Sequence, residues 1–255
     1  MRHDFKMKIC EDDIDDFDLI WCDHCLPLER IMRLKQFQRT NHYPGMQALT
    51  RKDTLGKNLN SLRQAFPDAY DFFPMTWMMP SESRKLKADL KTFDEKRLKN
   101  LTFIVKPEAS CQGKGIYLTK DIDEIETEAC VVQEYINKPF LMEKMKFDLR
   151  LYVLVIGIDP LRIYLSREGL ARLSTKNYEE VDDYNIDDIT MHLTNYAINK
   201  HSTKFQPNRA AVVDSVGHKR SLKFTLKYLK RCEGQDTDKL MRDIKDIIVK
   251  TLISG

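Results

Sequence analysis

The stretch FIVKPEASCQGKGIYLTK, at positions 103–120, sets a lysine and a glycine-bracketed turn between two apolar runs. Lys106 ends the first run, and Gly113 and Gly115 precede the second. A lysine ammonium and the backbone amides of the turn, from Gln112 to Gly115, can together hold phosphate oxygens. A β-hairpin whose turn requires glycine explains the same residues equally well. The stretch alone leaves both interpretations open.

Standard phosphate-binding motifs do not fit this stretch. A P-loop requires G-x-x-x-x-G-K-[ST], and the dinucleotide fingerprint requires a third glycine at the start of a helix. In protein kinases the glycine loop comes before the strand lysine, whereas Lys106 comes first. The order is therefore strand, lysine, glycine loop, strand.

Polar residues on two later strands suggest the rest of a site. VVQEYI at 131–136 is an apolar run with a polar pair, typical of a strand whose backbone can meet an adenine edge, although an ordinary core strand reads the same. In KFDLRLYVLV, Lys146, Asp148 and Arg150 alternate, so they lie on one face of a strand whose other face is apolar. Charges on a largely buried strand must be paired or used, which favours function.

HLTNYAINKH at 192–201 adds hydrogen-bonding groups. Thr194, Asn195 and Tyr196 precede Lys200 and His201. The alternative is a helix N-cap formed by Thr194 or Asn195.

These residues need a mixed α/β (α+β) framework. The spacing of apolar residues predicts helices over 28–37, 50–66, 221–232 and 236–254, and β-branched, aromatic runs predict a sheet of about five strands over 101–166. The acidic start, EDDIDDFDLIWCD, predicts a loop and a short strand. Residues 81–100 are nearly all charged or polar and predict a solvated connection. We expect three domains, at 1–72, 73–137 and 138–255.

Composition excludes several classes of protein. With 42 basic and 39 acidic residues, the net charge of +3 argues against a nucleic-acid binder, and no apolar run predicts a membrane span or an export signal. The six cysteines are scattered, which fits reduced thiols in a cytosolic protein. Cys22 and Cys25 have no second ligand pair, so we expect no metal site.

The order KPEASCQGKGI, VVQEYI, KPFLMEKMKFDLRLYVLV, REGLAR and HLTNYAINKH closely resembles the tubulin-tyrosine-ligase-like family, which has an ATP-grasp fold with mixed or antiparallel sheets and flanking helices. The resemblance runs from about Ile20 to the last residue. LERIMRLKQFQRTNHYPGM, followed by TRKDTLGKNLN, is most similar to the tubulin polyglutamylases.

The resemblance implies a role for each matching residue. The ATP contacts it implies are Lys106, Gln112, Gly113, Gln133, Glu134, Tyr135, Ile136, Lys146, Phe147, Asp148, Thr194 and Asn195. Lys146, Asp148 and Arg150 are implied to be catalytic, while Arg172, Tyr196 and Lys219 hold the incoming glutamate. The forked guanidinium group of Arg172 and the ammonium group of Lys219 suit an amino acid with two carboxylates.

The activity implied is the ATP-dependent addition of free L-glutamate to glutamate side chains in acidic tubulin tails, through an acyl phosphate. The magnesium ligands of the family are an Asp and a Glu-x-Asn pair, expected beyond Gly255, so we expect the fold to be C-terminally incomplete and the activity of this chain to be impaired. The expected protein is a cytoplasmic monomer on the cytoskeleton, including the cilium or basal body. Arg30, Arg33, Lys35 and Arg39 are candidates for the tubulin surface, or a solvated helix face.

Two alternatives remain. One is a microtubule-binding protein that keeps the nucleotide frame without catalysis. The other is a glycine ligase, or a ligase of the same fold that acts on another acidic protein.

Overall fold

A computed structural model describes residues 8–10, 16–108, 113–125, 128–207 and 216–255. The strands are β1 Leu19–Ile20, β2 Arg39–Thr40, β3 Thr76–Met79, β4 Phe103–Pro107, β5 Tyr117–Thr119, β6 Cys130–Glu134, β7 Leu141–Met142, β8 Met145–Ile158, β9 Leu161–Leu173 and β10 Lys219–Ser221. The helices are α1 Leu28–Met32, α2 Gln47–Thr50, α3 Lys52–Ala65, α4 Ser83–Leu90, α5 Glu95–Asn100, α6 Ile189–His192, α7 Tyr196–Asn199, α8 Leu222–Cys232 and α9 Thr237–Ile253, with a 3₁₀ turn at Ile122–Glu124. The predicted α/β (α+β) class, with flanking helices, is confirmed.

The first four-stranded sheet has the order β3-β6-β4-β5 and is antiparallel throughout. One face carries Trp77, Phe103 and Val132, which are buried in an apolar cluster. Because side chains alternate along a strand, Ile104, Lys106 and Gln133 lie on the opposite face. The sheet thus separates a dry core from a face that carries charge.

Residues 81–100 are not the solvated connection that their charge predicts. They form α4 and α5, and Leu86 of α4 is only 2% exposed, packed in the cluster with Trp77. The Trp77 indole donates a hydrogen bond of 2.8 Å to Asp89 Oδ2. A few apolar residues on one side of a charged helix are enough to bury that side, and the high charge density concealed the pattern.

The second four-stranded sheet has the order β10-β9-β8-β7. Its long hairpin pairs β8 with β9, and the apolar side chains of one face, Phe147, Leu149, Ala171 and Leu173, pack with Met142 and with Tyr228 of α8. The predicted single sheet over 101–166 is therefore wrong. An apolar run predicts a strand, but it does not specify which strands it pairs with.

The N-terminal segment departs from its predicted helix. α1 ends at Met32, although apolar spacing predicts a helix to residue 37. The buried Gln38 side chain accepts a hydrogen bond of 2.9 Å from the Lys35 backbone amide and donates one to Phe17 O. A side chain that takes a backbone donor in this way competes with helical pairing.

The other helical predictions are confirmed, with α3, α8 and α9 close to their expected bounds. The predicted short strand near the N-terminus is β1, whereas residues 11–15 lie outside the described part of the chain. Within the described ranges, no helix has the length and hydropathy needed to cross a membrane. The division into three domains stays a prediction.

Candidate active site

Lys106, at the end of β4, is held by a row of polar groups on its sheet. Its Nζ donates a hydrogen bond of 2.6 Å to Gln133 Oε1, and Gln133 Nε2 donates one of 2.8 Å to Thr76 Oγ1. Thr76 and Gln133 are direct cross-strand neighbours in β3 and β6, so the two side chains share one face. The row fixes the position of a buried ammonium group.

Lys146 comes from the other sheet, near the start of β8. Its Nζ donates a hydrogen bond of 2.8 Å to the Tyr135 hydroxyl and lies 4.1 Å from the centre of the Tyr135 ring. Tyr135 follows β6 and is buried in a second apolar cluster with Ile104 and Leu193. The aromatic ring and the hydroxyl both stabilise the cation in place.

The two ammonium groups are destabilised by their surroundings. Burial, followed by the positive charge of Lys52, lowers the pKa of Lys106 to about 8. Burial, followed by the charge of Lys106, lowers the pKa of Lys146 to about 8, although Asp148 opposes this effect. Two like charges in one partly desolvated place are unfavourable unless an anion joins them. The site is therefore suited to a polyanion.

A glycine turn follows Lys106 and closes on α7. Gly113 and Gly115 have φ of 90° and 68°, in the left-handed region that favours glycine. A Cβ atom on Gly113 would lie 2.7 Å from Ile198 Cδ1 and 3.1 Å from Asn195 Cγ. The predicted loop therefore contacts the segment that carries the predicted Thr194 and Asn195. Gln112 lies outside the described residues.

Arg172 lies in the middle of a charged row across three strands. It is paired with Asp148 of β8 on one side and with Lys219 of β10 on the other. Its guanidinium donates from Nε to Asp148 Oδ1 at 2.9 Å and from Nη2 to Oδ2 at 2.7 Å. This two-armed pairing holds Arg172 on the same face as Lys146.

A cavity of about 10 Å³, which is no larger than one water molecule needs, joins this row to α7. Its lining includes all three residues predicted to hold glutamate, Arg172, Tyr196 and Lys219, together with Thr194. The Lys219 ammonium lies 3.8 Å from the centre of the Tyr196 ring. Residues that are distant in sequence thus meet in one place, with two positive groups and a hydroxyl.

A family model described as the tubulin-tyrosine ligase family matches residues 30–255. The chain belongs to the tubulin-tyrosine ligase family. The predicted resemblance is confirmed over most of the chain.

Several individual proteins that are similar to this chain are named tubulin polyglutamylases. A probable beta-tubulin polyglutamylase of Tetrahymena thermophila is 48% identical over 253 residues, which are 98% of this chain and 21% of that protein. The tubulin polyglutamylase TTLL6 of Mus musculus is 44% identical over 244 residues, 95% of this chain and 28% of that protein. The tubulin polyglutamylase TTLL7 of Xenopus tropicalis is 40% identical over 243 residues, 95% of this chain and 26% of that protein. The chain thus spans between 21% and 28% of the length of these relatives.

Some side chains that the family resemblance implies in ATP binding face away from the lysine pair. Glu134 lies on the other face of β6 from Gln133 and forms an ion pair of 2.9 Å with Arg97. Phe147 packs on the apolar face of β8, away from Lys146. The roles of these two residues in ATP binding stay predictions. Side-chain direction depends on strand register, which the motifs do not specify.

The remaining predicted residues lie at the edges of the site. Arg150 Nε is 3.5 Å from Asp148 Oδ2, and its side chain is largely exposed. Ile136 is exposed, beyond the end of β6. Asn195 occupies the N-cap position of α7, but its side chain makes no cap hydrogen bond. The alternative of a helix N-cap at Thr194 or Asn195 is thus correct in position for Asn195, but the side chain does not cap the helix.

Sequence reasoning missed two residues of this site, Thr76 and His192. Thr76 lies in β3, a strand the sequence pattern did not predict, and His192 is the first residue of the HLTNY motif. His192 Nδ1 lies 3.0 Å from the Tyr135 hydroxyl, in the buried interior. His192 lies in the same motif as Thr194 and Asn195, and that membership is the signal that could have found it.

The part of the chain that the structure describes has no group of three His, Cys, Asp or Glu residues able to hold a metal ion. Cys22 Sγ contacts His24 O at 2.8 Å, and Cys25 Sγ lies 3.9 Å from Tyr43 O. The magnesium implied by the family resemblance stays a prediction.

Proposed function

We propose that the protein is an ATP-dependent ligase that adds glutamate to glutamate side chains of tubulin tails. The observation that carries the proposal is the pair Lys106 and Lys146, which come from different sheets and lie close enough for their charges to interact, beside the row that contains Arg172 and Lys219. Membership of the tubulin-tyrosine ligase family and the names of the polyglutamylase relatives support it.

The lysine pair and the glycine turn would hold the ATP phosphates. Both lysines are half-buried, their pKa values are lowered to about 8, and each ammonium group therefore gains from a nearby anion. The positive φ of Gly113 and Gly115 lets backbone amides face the same space. The donors thus fit a triphosphate better than a neutral ligand.

The charged row supplies the amino-acid site. Arg172 offers a planar fork, and Lys219 adds a second positive group at the same cavity. Free glutamate has two carboxylates, whereas glycine has one, so two cations favour glutamate. In the structure Asp148 holds both arms of Arg172, so a substrate carboxylate would share the guanidinium with Asp148.

Bound ATP would supply the phosphoryl group that turns the acceptor carboxylate into an acyl phosphate, with release of ADP. The glutamate amine would then attack the acyl carbon and displace phosphate, losing a proton as the amide bond forms. Lys106 and Lys146 would neutralise charge as the phosphates and the acceptor approach each other. Arg172, Tyr196 and Lys219 would hold glutamate so that its amine faces the acceptor. The protein groups position the reactants and compensate charge.

We also propose that the acceptor is an acidic tubulin tail and that the protein acts on cytoplasmic microtubules, including those of cilia. Arg33, Lys35 and Arg39 are exposed near α1, where they would meet an acidic partner. Their charge is the kind that raises association rates with such a tail.

The test uses the full-length protein that contains this chain, with stabilised microtubules, ATP and labelled glutamate or glycine. We expect glutamate to be incorporated, and Arg172→Lys to raise the KM for glutamate about tenfold, because lysine keeps the charge but loses the fork. The control is Arg167→Lys, at an exposed position of β9.

Each contrary result has a distinct meaning. Microtubule binding without incorporation of either amino acid would identify a binding protein rather than a ligase. Preferential incorporation of glycine would identify a glycine ligase. An unchanged KM in Arg172→Lys would place the glutamate site elsewhere.

A further inference from the structure

A chain of hydrogen bonds runs from Lys146 into the interior. Lys146 Nζ lies 2.8 Å from the Tyr135 hydroxyl, which lies 3.0 Å from His192 Nδ1. His192 Nε2 lies 2.9 Å from the backbone oxygen of Asn185. These hydrogen bonds connect Lys146, in the predicted phosphate site, to the backbone oxygen of Asn185.

The last acceptor sets the direction of the two hydrogen bonds that His192 makes. A backbone carbonyl only accepts, so His192 Nε2 carries the hydrogen, and Nδ1 of the neutral ring accepts from the Tyr135 hydroxyl. The hydroxyl oxygen is then open to accept from the Lys146 ammonium. If Nδ1 were protonated, it would compete with Lys146 for that oxygen.

Burial keeps His192 in this role. The residue is 1% exposed, and Tyr135 and Tyr178 pack edge-on against its ring. Burial, chiefly, and the charge of Lys146 lower the pKa of His192, while the hydrogen bond to Asn185 O and the carboxylates of Asp188 and Asp182 oppose the effect. The ring therefore stays neutral near pH 7 and lies behind Tyr135, out of contact with the ligand site.

We propose that His192 is a positioning residue, which fixes the Lys146 ammonium at the nucleotide phosphates through the Tyr135 hydroxyl. The proposal rests on the proposed function, since it assumes that Lys146 meets ATP. In this role His192, the first residue of HLTNY, acts on Lys146, which belongs to β8. The task needs an acceptor at the position of Nδ1.

A purely structural role for His192 makes the opposite demand. Such a role would hold the 185–192 segment through the bond from Nε2 to Asn185 O, and it would need a donor at that position. Asparagine places its Oδ1 where Nδ1 accepts, and glutamine places its amide where Nε2 donates. His192→Asn and His192→Gln therefore separate the two roles.

The experiment measures binding of a non-hydrolysable ATP analogue to the full-length protein by calorimetry, and the KM values for ATP and glutamate. We expect His192→Gln and Tyr135→Phe to weaken analogue binding about tenfold, as expected for one lost charge-assisted hydrogen bond. The KM for ATP should rise with it, and the KM for glutamate should stay within about twofold. His192→Asn should bind the analogue at least about threefold more tightly than His192→Gln.

Controls keep the outcomes distinct. His201→Gln changes an exposed histidine and should have no effect, and Lys146→Ala should abolish tight binding. Tighter binding by His192→Gln than by His192→Asn, or unchanged binding in Tyr135→Phe, overturns the positioning role while leaving the proposed function intact. Failure of the wild-type protein to bind the analogue overturns both. Circular dichroism checks that each variant is folded, and Tyr135→Phe decides the matter if neither His192 variant folds.

Discussion

The buried ammonium of Lys106 should lower the stability of the chain without ligand, so its replacement by an apolar residue should raise it. Lys106→Met keeps an unbranched side chain of similar length and removes the charge. The same change removes a phosphate-binding group. We therefore expect a more stable chain that no longer binds ATP.

The magnitude follows from the pKa. A pKa lowered from 10.5 to about 8 corresponds to roughly 3 kcal/mol against the charged folded form. Removing the ammonium also leaves Gln133 Oε1 without its 2.6 Å donor, which costs about 1 kcal/mol. At pH 7 we therefore expect Lys106→Met to raise the free energy of unfolding by ~2 kcal/mol.

The pH dependence gives a second, independent check. Below pH 8 Lys106 is charged in both states, so the unfavourable effect is fully present. Between pH 8 and pH 10.5 the unfolded chain binds more protons, so wild-type stability rises with pH. Lys146 behaves in the same way. In the wild type, the free energy of unfolding therefore rises with pH by up to ~2.7 kcal/mol per pH unit. In Lys106→Met, which keeps only Lys146, it rises by at most ~1.4 kcal/mol per pH unit.

Urea unfolding at pH 7, 8 and 9 measures both quantities. Trp77 is fully buried and Trp21 is mostly exposed, so tryptophan fluorescence reports mainly on the first sheet. Lys138→Met is the control, because the Lys138 side chain is 78% exposed, and we expect a change within about 0.5 kcal/mol. Lower stability of Lys106→Met at pH 7, or a slope equal to that of the wild type, would refute the reasoning.

Three further predictions concern the core, the glycine turn and the lysine pair. Leu86→Ala should reduce the free energy of unfolding by about 2–4 kcal/mol in urea melts, whereas Leu98→Ala, at a position that is 42% exposed, should change it by less than about 1 kcal/mol. Equal effects would contradict the buried helix. Gly113→Ala should weaken ATP-analogue binding by full-length protein in calorimetry, because the new methyl group would clash with α7, whereas Gly45→Ala, also at positive φ but in open space, should not. Affinity for the same analogue should fall as pH rises above 8, where the two buried lysines lose their protons, and a flat profile from pH 7 to 9 would count against their role.

Local patterns in the sequence determined much of this protein. The alternation of Lys146, Asp148 and Arg150 predicted one charged strand face, and the spacing of apolar residues predicted α3, α8 and α9. The order of short motifs predicted the family, which the family model confirms. These features can be predicted from the sequence, because the periods of strands and helices depend on residues that are close together in the chain.

Contacts between distant segments were decided only by the tertiary structure. The charge density of residues 81–100 concealed buried Leu86, and the pairing of Asp148 with Arg172 depends on the register of β8 against β9. Glu134 faces away from Gln133, although the two are adjacent in sequence, because a strand turns successive side chains to opposite faces. The roles of the site residues stay predictions.

The lysine pair shows the physical reason for this division. Lys106 and Lys146 belong to different sheets, and each has an ordinary sequence context. Their lowered pKa values, and the chain of hydrogen bonds that ends at His192, arise only when folding brings both sheets together and removes water. The sequence determined which groups were available, and packing decided which of them meet.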